Sequence, residues 1–356
     1  MNFEDAALET LLYPFATGQL TWNDDALFLR ARAGQSLVKF ADKKLICEQS
    51  FKPEADALQR AGFDVEPNLQ AKSEPKKFSL ILVLPSRQRD EARALFARAV
   101  SMLKPNGTVV ACVSNNEGAR SLESDLEKLI GSVNTLSKHK CRVFWGSPQG
   151  GAVDQSILAQ WTELDSQREI ANGRFVSRPG VFAWDRIDFA SALLAKHFPD
   201  TLSGSAADLG AGFGYLAAEL LQRCAGITSL DAYEAEHRAL QLSMVNLAKH
   251  ESRVPVKYHW HDVTSGLLTK YDVIVSNPPF HTHSRMDRPD IGRRFITVAA
   301  QSLNAGGQLW IVANRHLPYE EVLVDGFSSV KVIAEQQGFK VIAATKVAAA
   351  PRKTPK

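Results

Sequence analysis

Three glycines at alternate positions behind an acid, Asp208-Leu-Gly210-Ala-Gly212-Phe-Gly214, stand where a strand-like run meets a helix-like one. Glycine there permits positive φ and lets a ligand approach the main chain closely. The surrounding pattern has few solutions. Ser205–Gly214 reads as a short strand running into the turn, and Tyr215–Cys224 as a helix with Leu216, Leu220 and Leu221 on one face. A strand over Ile227–Glu234, a helix over Ala235–His250 and an alternating strand over Val254–Asp262 follow. Tyr271–Ser276, with Val273-Ile274-Val275 at its centre, reads as a strand buried on both faces. Strands alternating with helices predict an α/β, Rossmann-like domain with a parallel, doubly wound sheet.

The first half repeats the end of this pattern. Phe78–Leu84 reads as a strand followed by Pro85, Asp90–Leu103 as a helix, Lys104–Gly107 as a turn and Thr108–Val113 as a strand. The second half has Tyr271–Ser276, a helix ending near Leu303, a turn at Asn304–Gly307 and the strand Gln308–Ala313. Leucine and turn glycine are spaced alike, at 103 and 107 and again at 303 and 307. Proline to leucine is 18 residues in the first half (85 to 103) and 25 in the second (278 to 303), the excess falling in His281–Asp290. Two copies of one domain are expected, 1–150 and 170–356, with the seam in Trp145–Asn172.

Composition narrows the class. The 356 residues suit about two domains. Hydrophobic residues at 45% and charged residues at 23% exclude a disordered or fibrous chain. No apolar run approaches the ~20 residues of a membrane span, and the acidic start MNFEDAALET is no secretory signal. Cys47, Cys112, Cys141 and Cys224 are far apart with no C-x-x-C pair, which fits a cytoplasmic chain without a zinc site. A net charge of +3 leaves any nucleic-acid contact to local clusters. Candidates are Lys138/Lys140/Arg142, Arg285/Arg288/Arg293/Arg294 and Arg352–Lys356.

An acid two residues before the first glycine suits a cofactor bearing an ammonium rather than a pyrophosphate. An acid at the tip of the next strand should hold a ribose diol; Asp231 and Glu234 both qualify, and Glu234 lies nearer the tip. Asp262 and Val263, closing the third strand, are placed at the adenine edge. Asn277-Pro278-Pro279-Phe280 follows the buried strand. Two prolines fix φ and remove backbone donors. The Asn277 oxygen and nearby carbonyls are then free to accept from the exocyclic amine of a base, with Phe280 stacking on it. His259-x-His261 and His281-x-His283 lack a companion carboxylate–cysteine set, so no metal is expected.

The pairing of D-L-G-A-G-F-G with N-P-P-F resembles S-adenosylmethionine-dependent amino-methyltransferases. N-P-P-F-H (277–281), V-A-N-x-x-L-P-Y (312–319) and P-G-V-F (179–182) resemble the ribosomal RNA small subunit methyltransferase C family, whose close relative is the large-subunit methyltransferase G. The resemblance is good over Phe175–Lys346 and looser before it, through the duplication and KHKCRVFW (138–145). It implies tandem class I methyltransferase domains that make N2-methylguanine in 16S ribosomal RNA within the small subunit, from a monomer. The C-terminal copy alone would bind S-adenosylmethionine; residues 40–75 carry no D-x-G-x-G. The N-terminal copy would bind RNA and act as a scaffold. The resemblance implies Asn277, Pro278, Pro279 and Phe280 as catalytic residues. It implies Asp208, Gly210, Gly212, Gly214, Glu234, Asp262, Val263 and Phe182 as the cofactor site. Methylation of 23S ribosomal RNA, of adenine N6 or of protein glutamine stays open as an alternative, as does a non-catalytic RNA-binding factor.

Overall fold

The computed structural model describes residues 5–22, 25–69, 76–148, 153–279, 289–317 and 319–347. The chain divides into two compact units, Met1–Gln167 with Arg178–Gly180, and Arg168–Ser177 with Val181–Lys356. The first unit contains α1 (Ala6–Ala16), β1 (Ala26–Leu29), α2 (Gln35–Val38), β2 (Leu45–Glu48), α3 (Lys52–Arg60), β3 (Asp64–Glu66) and β4 (Phe78–Val83). It continues with α4 (Arg89–Ser101), β5 (Leu103–Ser114), α5 (Ala119–Ile130), β6 (Asn134–Lys138), β7 (Cys141–Gly146) and α6 (Gln155–Glu163). Its seven strands lie in the order β3-β2-β1-β4-β5-β7-β6.

The second unit opens with the hairpin β8 (Arg168–Ile170) and β9 (Phe175–Ser177), then α7 (Phe189–Lys196), β10 (Ser203–Leu209), α8 (Tyr215–Arg223), β11 (Gly226–Glu234) and α9 (His237–Leu247). There follow β12 (Val256–Trp260), β13 (Tyr271–Ser276), α10 (Pro289–Ser302), β14 (Leu303–Asn314), α11 (Glu320–Gly326), β15 (Ser329–Gln336) and β16 (Phe339–Thr345). Its main sheet runs β12-β11-β10-β13-β14-β16-β15, the same order as in the first unit. Successive residues of a strand serve opposite faces. Ala206, Val273, Val275, Trp310 and Val312 therefore join one apolar cluster, while Ala207, Leu209, Ile274, Leu309 and Ile311 join the other.

The duplication extends to irregularities. Phe78 pairs with Leu103 and Leu80 with Thr108 across a register shift, and Tyr271 pairs with Leu303 and Val273 with Gln308 across another. The expected turns at 104–107 and 304–307 are bulged stretches inside continuous strands β5 and β14. Asn106 (φ 62°) and Gly306 (φ 79°) take the left-handed conformation that the bulge needs.

The sheets are mixed rather than parallel throughout. In each unit the last two strands form a hairpin, and β7 and β16 run antiparallel to β5 and β14. The hairpins turn on two residues of positive φ, His139-Lys140 and Gln337-Gly338, and so short a connection can only join antiparallel strands.

Tyr319 of the V-A-N-x-x-L-P-Y segment is fully buried. Gly292 of α10 lies against its ring: a Cβ added there would sit 1.8 Å from the hydroxyl and 2.5 Å from Cζ. Gly292→Ala should therefore destabilise the protein by about 1–3 kcal/mol through overpacking, although alanine is the better helix former. Thermal unfolding checks this. An unchanged or raised midpoint would mean that the Tyr319 ring can move aside.

Candidate active site

The site forms where the strand order reverses. β10 and β13 are neighbours, but their connections leave toward opposite edges of the sheet, which opens a crevice at their carboxyl ends. Gly210, Gly212 and Gly214 follow β10 with φ of 77°, 56° and 91°, a region closed to most side chains. A Cβ at Gly214 would also press on Ser243 and Leu247 of α9 at 3.2–3.3 Å. The loop is tied down from several sides. Gly210 N and Ala211 N donate to Tyr233 O at 2.9 and 3.0 Å. The Asn246 amide donates to Phe213 O at 2.7 Å and to Val176 O at 2.9 Å, and accepts from Val176 N at 2.7 Å.

Two carboxylates face this turn. Asp208 is fully buried; its Oδ2 accepts from Ala217 N at 3.0 Å, and its Oδ1 has no hydrogen-bond partner. Burial pushes its pKa up to about 7, the Ala217 amide opposing and the Glu234 carboxylate adding to the rise. Glu234 accepts from Gly212 N at 2.8 Å and from Glu236 N at 2.7 Å, and burial likewise raises its pKa. Asp231, the other sequence candidate, lies away from the turn. It accepts from Tyr271 Oη at 2.6 Å and stands 3.4 Å from His259 Nε2. Asp262 caps the turn after β12 by accepting from Thr264 N at 2.9 Å, and Val263 is buried beside it. That segment runs along the tip of β11, with His261 N donating to Glu234 O at 3.0 Å.

β13 delivers Asn277 to the same crevice. Ser276 Oγ donates to Leu209 O at 2.7 Å and fixes the strand ends together. Asn277 Nδ2 donates to Asp188 Oδ2 at 3.1 Å and to Ser191 Oγ at 2.8 Å, while its Oδ1 is buried without a hydrogen-bond partner. Pro278 is buried and Pro279 exposed. Phe182, Asp188, Ser191, Gly210, Gly212 and Asn277 are among the residues that line a small pocket in this crevice. Phe182 is 68% exposed at its rim. Phe280, His281, His283, Arg285 and Arg288 lie outside the described residues.

Sequence reasoning missed Asp188 and Ser191. The D-x-x-S pattern before the apolar run of α7 signals a helix cap, and Asp188 does accept from Ser191 N at 2.9 Å. Nothing in that pattern signals the second task at Asn277. The basic cluster on β6 and β7 is largely spent within its own unit. Arg142 pairs with Glu123, His139 reaches Glu9 at 2.9 Å, and Lys138 lies over the Tyr13 ring at 3.8 Å. His261 Nε2 lies 2.8 Å from Gly266 O, and His259 stacks on Tyr233.

The first unit has an equivalent position, set by register. Leu29 pairs with Val83 and Glu48 as Leu209 pairs with Ser276 and Tyr233. The equivalent turn is therefore 28–34, upstream of the 40–75 stretch that the sequence singled out. Phe28 stands for Asp208, Arg30 for Gly210, Arg32 for Gly212, Gln49 for Glu234 and Leu84 for Asn277. Arg30 keeps the positive φ, 55°, and is bonded to Glu91, while Arg32 is bonded to Asp5. Gln49 repeats one bond of Glu234 and reverses the other: its Oε1 accepts from Phe51 N at 2.9 Å, as Glu234 accepts from Glu236 N, but its Nε2 donates to Ala31 O at 2.6 Å where Glu234 accepts from Gly212 N.

Residues 172–343 match the model of the Methyltransferase small domain family. The chain is 30% identical over 293 residues to the ribosomal RNA small subunit methyltransferase C of Shewanella baltica (strain OS185), covering 81% of this chain and 82% of that one. With the protein of the same description from Psychromonas ingrahamii it shares 27% identity over 318 residues, 89% of this chain and 87% of that one. Among solved structures, a T. thermophilus 16S rRNA N2 G1207 methyltransferase, in complex with AdoMet and guanosine, superposes with a TM-score of 0.78 at 21% identity. The match spans 97% of this chain and 92% of that chain, and it establishes the fold. The chain belongs to the ribosomal RNA small subunit methyltransferase C family.

The buried Asp208 gives the protein a pH signature. Between the ordinary carboxylate range and about pH 7 the unfolded chain has released a proton that the folded chain keeps at this residue. Stability from this group thus falls as pH rises through that window and is level above it. Asp208→Asn should leave the unfolding midpoint nearly unchanged near pH 4 and raise it above pH 7, as read by thermal unfolding across pH. Equal effects at both ends would show that Asp208 is ionised throughout.

Proposed function

We propose that this chain transfers a methyl group from S-adenosylmethionine to the exocyclic N2 amine of a guanine in 16S ribosomal RNA. The observation that carries the reading is the Asn277 amide: its nitrogen is committed to Asp188 and Ser191, and its buried oxygen has no hydrogen-bond partner at the mouth of the glycine turn. A buried acceptor left unsatisfied costs free energy unless something supplies a donor. An exocyclic amine supplies two. The relatives are ribosomal RNA small subunit methyltransferases C, and the solved neighbour is in complex with AdoMet and guanosine.

The residues at the turn fit the cofactor. The unpartnered Asp208 Oδ1 lies behind a loop whose glycines admit close approach, and a methionyl ammonium brought to it would favour the ionised carboxylate over the protonated form that burial favours in its absence. Glu234 at the strand tip is assigned to the ribose hydroxyls, Asp262 and Val263 to the adenine edge and Phe182 to the rim. When bound, S-adenosylmethionine supplies an electrophilic methyl group on a sulfonium.

The chain's own part is positioning and electrostatics. A guanine leaves its stack to enter such a pocket, and Phe280 is assigned to stack on it. Asn277 Oδ1 and the Pro278 carbonyl accept from N2–H and turn the nitrogen toward the methyl donor. Pro278 and Pro279 present no backbone N–H that would compete for the carbonyl acceptors. As the new N–C bond forms the amine nitrogen becomes positive, and the fixed carbonyl dipoles stabilise that charge. The methyl–sulfur bond would break as the N–C bond forms, the donor would leave as a neutral thioether, the surplus N2 proton would pass to solvent, and no covalent nucleophile on the protein is needed.

The first unit is assigned to RNA binding and scaffolding, in the cytoplasm, without a cofactor of its own. Phe28 in place of Asp208, and Arg30 and Arg32 in place of two glycines, support that assignment. Titration calorimetry on the intact protein should give one S-adenosylmethionine per chain. Two sites per chain would overturn the assignment.

Asn277→Ala should lower the rate of methyl transfer by about 10²–10³ and leave cofactor affinity within a few fold. Radiolabelled transfer to 16S-containing and to 23S-containing particles reads the first, and calorimetry the second. Near-normal transfer would mean that the amine is held elsewhere. Transfer confined to 23S-containing particles would keep the chemistry and move the substrate to the large subunit.

A further inference from the structure

We infer that Asp188, which caps α7, and Ser191 in its first turn are positioning residues that decide which end of the Asn277 amide faces the substrate. The inference rests on the proposed role of Asn277 as acceptor of the target amine. An amide side chain has nearly the same shape either way round, and its two ends have opposite hydrogen-bonding character. Turned nitrogen-outward, Asn277 would present donors to an amine that is itself a donor, and the site would repel its substrate. Something must therefore hold the nitrogen inward.

Two acceptors do so. Asp188 Oδ2 takes one hydrogen bond from Asn277 Nδ2 at 3.1 Å, and Ser191 Oγ takes another at 2.8 Å. Both donors of the amide are thereby used, and Oδ1 is left buried without a partner in a residue that lines the pocket. The two acceptors are not equivalent. A hydroxyl can rotate and donate to a flipped amide oxygen, whereas an ionised carboxylate accepts only. Asp188 thus imposes the orientation and Ser191 supports it. The helix holds both side chains ready: Asp188 Oδ2 also accepts from Ser191 N at 2.9 Å, so the cap that starts α7 and the anchor of Asn277 share one oxygen. In the first unit Leu84 occupies the position of Asn277, and no amide there needs orienting.

The test compares Asp188→Ser, Asp188→Asn, Ser191→Ala, Asn277→Ala and the double variant Asp188→Ser/Asn277→Ala. Single-turnover methyl transfer to 16S-containing particles is measured beside cofactor affinity and KM for the particle. Serine is as good a helix cap as aspartate, but its shorter side chain withdraws the acceptor from Asn277. Asp188→Ser should lower the transfer rate about 10²-fold, as a misplacement of about 1 Å can, with KM and cofactor affinity within a few fold. Asp188→Asn, whose side-chain oxygen can take both hydrogen bonds, should recover about ten-fold of that loss or more. Ser191→Ala, which leaves the cap untouched, should cost about ten-fold in the transfer rate. In the Asn277→Ala background, Asp188→Ser should add less than about two-fold, because the two act through one group. An unchanged rate in Asp188→Ser, or a full multiplicative loss in the double variant, would overturn the inference. If Asn277→Ala is slow and the losses multiply, the acceptor role stands and the positioning role alone falls. If Asn277→Ala transfers at the full rate, the acceptor role itself is wrong.

Discussion

A parallel sheet whose connections leave two adjacent strands in opposite directions cannot close over their carboxyl ends. That constraint, at the junction of β10 and β13, organises the second unit. The glycine turn comes off one strand and Asn277 off the other, and the bond from Ser276 Oγ to Leu209 O keeps the two ends from parting. Everything else serves to bring groups to that opening. Glu234 arrives on the next strand, and the start of α7 brings Asp188 and Ser191 to Asn277.

The first unit has the same junction, which makes it an internal control. Strand order, register shift and terminal hairpin are repeated, so the backbone scaffold is the same in kind. Even the left-handed turn residue survives, as Arg30 at φ 55°. A non-glycine residue in that region is strained, and here the Arg30–Glu91 and Arg32–Asp5 pairs hold the turn together. The groups with which the second unit can meet a ligand are the ones replaced: a buried carboxylate by phenylalanine, two open glycines by arginines, an acceptor amide by leucine. The fold tolerates the loss of a site because packing in the sheet faces does not depend on it.

The sequence was most readable where burial was complete. Tyr271–Ser276 has the same bounds in pattern and in structure, because a strand covered on both faces is apolar along its centre, here Val273-Ile274-Val275. The glycine turn was equally plain, since positive φ leaves few residue choices. The antiparallel ends were not. Their hairpins turn on His139-Lys140 and Gln337-Gly338, which lack the Asn-Gly or Asp-Gly signature of such turns. The strands of the first unit before β4 are three or four residues long, too short to display a period. Asp188 and Ser191 were invisible as partners of Asn277 for another reason. They are 89 and 86 residues away along the chain, and only the fold brings them together.

The choice of an amide rather than a carboxylate at position 277 follows from what stands behind it. A carboxylate there would lie about 3 Å from that of Asp188, and two such groups cannot both ionise at that separation. One would take up a proton and become a donor, the wrong character for an amine. Asparagine avoids this and uses the charge instead. Its nitrogen end faces Asp188, so the carboxylate polarises the amide along the line from Asp188 to the pocket, and Oδ1 carries more negative charge than it would alone. On the proposed chemistry the target nitrogen is neutral at the start and positive once the methyl group has arrived. A neutral but polarised acceptor responds to that change more than to the ground state, which is the condition for lowering a barrier rather than merely binding the substrate.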